Sequence, residues 1–328
     1  MSALQTQPID AFGKVILFGE HSVVYGYPAL AVGIPRGVLV NHAIIRKGGS
    51  VVVVKEWGLE TNTESSGSFA DALRKALELV PGKGDVEIEM QSRLPLGAGL
   101  GSSAAFSVAL TKAIASARGE RLLQATVRKI AHDIEHIFHG APSGVDDMVA
   151  TFGGVVLFSH SGIKDLKIPV GWVVFERCGY FLSLNVPPLV IGFCGKTHST
   201  REMVEKVRKA FEVSKETVSR LFLKSAEALK EGIEALRQKD LLKFGHALSK
   251  NHEVLQELGL STKENEDMLE IAKKAHAIGG KISGAGGGGA VIALAPGFEQ
   301  DVLSAWKEAG YSGFILPSPE FVNWSSKS

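Results

Sequence analysis

The stretch PLGAGLGSSAA, Pro95–Ala105, places Gly97, Gly99 and Gly101 at alternate positions and then runs into two serines, Ser102 and Ser103. From Ser103 to about Ala117 the chain is small or apolar nearly all round, the signature of a helix buried on most sides. Glycine has no side chain to keep a ligand from the backbone, and the unpaired amides of a helix start, aided by its dipole, attract phosphate. Pro95, Gly97, Ala98, Gly99, Leu100, Gly101, Ser102 and Ser103 are therefore candidate phosphate-binding residues, and a serine hydroxyl here can also ligate Mg²⁺. The plain alternative is a flexible turn with a serine cap. The common nucleotide loop is excluded, because the GxxxxGK[ST] spacing and its lysine are missing and no Rossmann context follows.

Outward from this loop the first half reads as strands, Val15–Phe18, Ala29–Ile34, Val51–Val54 and the alternating Val86, Ile88, Met90, with helices at Phe69–Val80 and Val127–Phe138. After a strand at Leu189–Phe193 the pattern turns to long amphipathic helices, roughly 201–212, 215–237, 240–257 and 263–278. Strands return at Ala290–Ala295 and Gly313–Leu316, around a helix at about 298–309. Mixed elements without strict alternation point to an α+β fold. The change of pattern predicts a boundary near 185, giving domains 1–185 and 186–328.

A chain of 328 residues exceeds what one hydrophobic core usually supports, so two lobes are expected. A formal net charge of +1, without a basic stripe, argues against nucleic acid as a partner. No apolar run reaches the ~18 residues of a membrane span, and the start, MSALQTQPIDAFGK, is not a secretory signal, so a soluble, cytoplasmic protein is expected. The last residues, Ser326, Lys327 and Ser328, only approach a peroxisomal address. Cys178 and Cys194 are expected as buried thiols. The amphipathic helices suit a homodimer as well as they suit covering the protein's own core.

Three segments together resemble the GHMP kinases: the loop at 95–105, KVILFGEHSVVYGYPAL from Lys14 to Leu30, and KISGAGGGGA from Lys281 to Ala290. They span most of the chain in the family's order. The resemblance implies a two-lobed fold, with an N-terminal lobe like ribosomal S5 domain 2 and a C-terminal α/β sandwich lobe of ferredoxin-like character. It also implies ATP and Mg²⁺ as cofactors and a small-molecule acceptor. Galactokinases differ by an arginine-containing first motif, and homoserine kinases generally lack the lysine and aspartate pair. The set is most similar to that of the mevalonate kinase branch, which implies phosphorylation of the 5-hydroxyl of mevalonate in isoprenoid precursor synthesis.

By the same resemblance Lys14 reaches the phosphates and the acceptor hydroxyl, and Asp146, in GAPSGVDDMVATFGG (Gly140–Gly154), is the catalytic base. Without the family, Lys14 reads as a surface lysine and Asp146 as a turn or cap residue. Asp147 stands where many relatives have asparagine, adding a negative charge beside the base. Glu135 reads as a solvated helix carboxylate by pattern and, by resemblance, as the Mg²⁺ ligand paired with Ser103. His132, His136 and His139 read as helix surface. Glu20, His21, Thr200, Gly286 and Gly287 are assigned to the acceptor, with Gly286 and Gly287 letting the third motif approach the nucleotide loop. Phe12 replaces a proline and His198 stands where some relatives have arginine.

Overall fold

The computed structural model describes residues 10–159, 172–175, 179–182, 184–196 and 200–318. It is an α+β protein whose chain divides into two compact units built from interleaved segments. The first takes the segment ending at Lys14, Gly33–Leu96 and Gly101–Gly153; the second takes Val15–Val32, Gly97–Leu100 and the chain from Gly154 on.

Strand β1 (Ala11–Phe18) and the long β2 (Ala29–Arg46) contribute residues to both units. In the first unit β2 pairs antiparallel with β5 (Asp85–Ser92), from Val38 opposite Ser92 to Arg46 opposite Asp85, with a register shift between Val40 and His42. β5 runs parallel to β3 (Val51–Val54), which pairs antiparallel with β4 (Leu59–Asn62). Four helices pack together in this unit: α1 (Ser68–Leu79), α2 (Ser102–Ala117), α3 (Gln124–His139) and α4 (Val145–Phe152). The small side chains of α2 allow close approach, and Ala104, Ala105, Phe106, Val108, Ala109 and Leu110 are fully buried.

The PSGVDD segment, read from sequence as a turn, opens α4 instead. Val145, Met148, Val149 and Phe152 recur at helical spacing and are all buried, so packing holds a helix too short to persist alone.

In the second unit the start of β2, Ala29–Val32, pairs with β6 (Val155–Phe158), followed by β8 (Gly179–Leu182) and β7 (Trp172–Phe175). A separate antiparallel sheet has the order β10 (Gly279–Ser283), β11 (Ala290–Leu294), β9 (Leu189–Phe193), β12 (Ser312–Leu316). Helices α5 (Thr200–Val213), α6 (Lys215–Gln238), α7 (Leu241–Glu257), α8 (Lys263–Lys274) and α9 (Glu299–Glu308) complete the unit. Its core includes Trp306, whose indole N–H donates to Met268 O at 2.8 Å, so the largest buried side chain leaves no polar atom unmet.

Cys194 is a buried free thiol; Cys178 lies outside the described residues. Among the described residues no helix is long and apolar enough to cross a membrane.

Candidate active site

Lys14 sits in β1 among apolar neighbours, and its side chain is 4% exposed. A buried ammonium needs a partner. It has one: Nζ lies 3.1 Å from Oδ1 of Asp146, in the first turn of α4. Gly101 makes the room, since a Cβ there would stand 2.8 Å from Cγ of Lys14. The same glycine, at φ 73°, is the residue from which α2 departs, and no side chain caps the helix's first amides. They remain available to an anion.

One face of α3 carries Arg128, His132, Glu135 and His139, spaced i, i+4, i+7 and i+11. Glu135 is fully buried. Its Oε2 accepts from Ser103 Oγ and its Oε1 from Ser107 Oγ, both at 3.1 Å. His139 Nε2 lies 2.9 Å from Ser103 Oγ and 3.4 Å from Glu135 Oε2. Burial, and then the neighbouring charge of Asp146, pushes the Glu135 carboxyl up to about 8, against the two serine hydroxyls that favour its ionised form.

Asp147, expected as an extra charge beside Asp146, is instead buried and paired. Arg128 Nε donates to its Oδ2 at 3.0 Å, and His132 Nδ1 lies 3.2 Å from its Oδ1. That hydrogen bond is the main reason His132 titrates above its ordinary range, burial opposing it. His132 and His139 thus face acidic partners, which corrects their reading as helix surface; only His136 of the three is exposed.

Next to Pro95 and Leu96 the first unit has an open depression of about 500 Å³, lined also by Trp57, Ser92 and Leu94. Trp57 is fixed there by its indole N–H, which donates to Leu94 O at 2.8 Å.

The second unit holds the other predicted residues. Glu20 is buried, with one carboxylate oxygen accepting from Lys281 Nζ and the other from Asn251 Nδ2 at 3.1 Å. Asn251 Oδ1 in turn accepts from Ser225 Oγ at 2.6 Å. His21 has a φ of 60°, rare for a residue with a side chain, and its Nε2 lies 2.9 Å from Ala285 O in the third motif. The third motif does meet the loop segment Gly97–Leu100, but through other glycines than expected. A Cβ on Gly99 would lie 2.8 Å from Ser283 O, and one on Gly289 would lie 3.1 Å from Ala98 O. Gly286 and Gly287 pack instead on Leu260, whose carbonyl accepts from Gly287 N at 2.7 Å. Thr200 opens α5, half-buried, and His198 lies outside the described residues.

The family model described as GHMP kinases N terminal domain matches residues 66–154, and that of GHMP kinases C terminal matches 233–312. The mevalonate kinase of Pyrococcus horikoshii is 34% identical over 325 residues, covering 92% of each chain. The chain belongs to the GHMP kinase family. A second relative, the mevalonate kinase of Pyrococcus abyssi, is 33% identical over 330 residues and 93% of each chain. Among solved structures, the L. major mevalonate kinase in complex with R-mevalonate aligns at TM-score 0.75 over 98% of this chain and all of that one, with 24% identity, a likeness of fold. The GHMP kinase fold thus carries Lys14, Asp146, Ser103 and Glu135 within one compact unit. Arg128, His132, Ser107 and Asn251 belong to no motif quoted above, and Lys281 opens the third motif without a role assigned to it there; for the α3 pair, the i, i+4, i+7 spacing with Glu135 is the signal in the sequence.

Proposed function

We propose that this GHMP kinase transfers the terminal phosphoryl group of ATP to the primary 5-hydroxyl of mevalonate, giving 5-phosphomevalonate and ADP. The observation that carries the reading is the Lys14–Asp146 pair at 3.1 Å, in the unit that also presents the uncapped start of α2. The mevalonate kinases among the relatives give the acceptor.

Phosphoryl transfer needs positioning and charge neutralisation more than covalent chemistry. The amides of the glycine loop and of α2 hold the phosphates, and Lys14 offsets charge on the transferred group. Asp146 accepts the hydroxyl proton, with the Lys14 ammonium 3.1 Å from its carboxylate. Ser103 and Glu135 fit Mg²⁺. Both offer hard oxygen donors, and burial pushes the Glu135 carboxyl up to about 8, where a divalent cation beside it would favour the ionised form. Phosphate oxygens and water would complete the shell of an ion held by Ser103 and Glu135. When bound, the ion neutralises phosphate charge and orients the terminal group.

In this reading His21, Thr200, Gly286 and Gly287 hold the acceptor. Glu20 contributes by fixing the peptide next to His21, since its carboxylate is taken up by Lys281 and Asn251.

ADP release measured over mevalonate, phosphomevalonate, an isoprenoid alcohol, homoserine and galactose tests the proposal. Mevalonate is expected to give the highest kcat/KM, and chelation with EDTA to abolish turnover. Preference for another acceptor would reject mevalonate, and no ADP release with any acceptor would point to a ligand sensor.

We assign the adenine to the depression beside Trp57, whose lining includes an aromatic ring and Pro95, the first residue of the glycine-loop segment. ATP is expected to change tryptophan emission, with the response lost in Trp57→Phe. An unchanged response in that variant would place the base elsewhere.

A further inference from the structure

The base proposed above sits on a short helix held by its neighbours. α4 has eight residues, begins after Gly144 at φ 88°, and no side chain caps its first turn. Helices of this length are not stable alone, so the aim of a part-exposed side chain on α4 depends on what the helix is held against, its buried apolar stripe and any polar anchor beside it. Yet Asp146 must point at Lys14 to within hydrogen-bonding distance.

We propose that Asp147, gripped by Arg128 and His132, is the positioning residue that aims Asp146 at Lys14. The inference rests on the reading of Asp146 as the base. Successive residues of an α-helix project about 100° apart. Pinning Asp147 to α3 therefore fixes where Asp146 points. The grip has two arms: Arg128 Nε holds Oδ2 at 3.0 Å and His132 Nδ1 holds Oδ1 at 3.2 Å, so the carboxylate cannot pivot on one contact. Arg128 and His132 are one turn apart on a helix of sixteen residues, a stiffer support than α4 itself. The Asp147 side chain is 1% exposed, so its charge has no water to fall back on. Arg128 and His132 thus give the second carboxylate, one residue from the base, a partner for each of its oxygens.

Facing His132 are Asp147 from α4 and, on α3, Arg128, Asp133 and the ring of His136. Because its pKa is raised, the charged contact is complete below the ordinary histidine value and is lost as pH rises through the raised one. One arm of the grip then weakens while the Arg128 arm persists.

The test is steady-state kinetics on the full chain with ATP, Mg²⁺ and the acceptor that supports turnover. Arg128→Gln is expected to lower kcat by about tenfold or more while KM for ATP stays within about threefold, and Arg128→Lys to recover part of the loss. In the parent chain kcat/KM should fall by about two- to threefold across the titration of His132, and His132→Gln should remove that step. His132→Gln leaves the Arg128–Asp147 pair in place, so it decides the matter if Arg128→Gln does not fold. The inference is overturned if both variants keep kcat within twofold of the parent, or if the alkaline step survives in His132→Gln. It is also overturned if kcat, KM and thermal stability all decline together with no change in the pH profile. Should Asp146→Asn itself retain turnover, the reading of the base fails instead, whatever these variants do.

Discussion

Replacing Asp146 by asparagine is expected to lower turnover by about a hundredfold or more while leaving ATP affinity near that of the parent chain. Asparagine keeps the size of the side chain and its place in the first turn of α4, where Asp146 is part-exposed, so the fold loses little. What disappears is the anion 3.1 Å from the Lys14 ammonium and the oxygen able to accept a proton. The nucleotide reads the amides of the loop and of α2, which the substitution does not touch. Single-turnover rates and equilibrium ATP binding on the same preparation separate the two effects. Turnover close to that of the parent would mean that the hydroxyl proton leaves without help from this carboxylate and that Lys14 alone suffices.

Lys281→Met should produce the largest loss of stability, ~3–5 kcal/mol, because it strands a carboxylate inside the second unit. Lys281 and Glu20 have side chains 0% and 1% exposed. The ammonium also donates to the carbonyls of Ile16 and Ile282, at 3.2 and 2.6 Å, so three acceptors lose one donor together. Urea titration of the variant measures the effect. Adding Glu20→Gln should restore a good part of it, since a neutral amide tolerates burial where an unpaired charge does not. A single variant within ~1 kcal/mol of the parent would show that the pair contributes little. The acceptor side should suffer as well, because Glu20 precedes His21, whose φ of 60° needs a fixed neighbour to persist.

Both substitutions fall on charges, and charges were the least legible part of the sequence. The glycine spacing of Gly97, Gly99 and Gly101, and the apolar run behind it, announce a phosphate loop entering a buried helix, because glycine and small residues leave a local pattern. The long amphipathic helices are legible for the same reason: their stripes repeat over several turns, and 215–237 was recovered as Lys215–Gln238. The α4 segment was not, since its one stripe of Val145, Met148, Val149 and Phe152 lies between glycines and aspartates that signal a turn. Pro35 and Gly37 likewise hid the continuation of β2 to Arg46.

Lys281 and Arg128 were missed on physical grounds. A lysine in a strand and an arginine on a helix are surface residues unless a partner is buried with them. Their partners, Glu20 and Asp147, lie 261 and 19 residues away in the chain. The Lys14–Asp146 juxtaposition was expected from family resemblance; composition and periodicity carry no trace of it.

The interleaving of the two units constrains how this polypeptide can be taken apart. The chain passes from one to the other after residues 14, 32, 96, 100 and 153, so no single cut separates them. Gene fission or a protease nick at any one point would leave at least one fragment holding segments of both units. A version split after residue 153 would keep every segment of the first unit in one piece and would have to reassociate to complete the second.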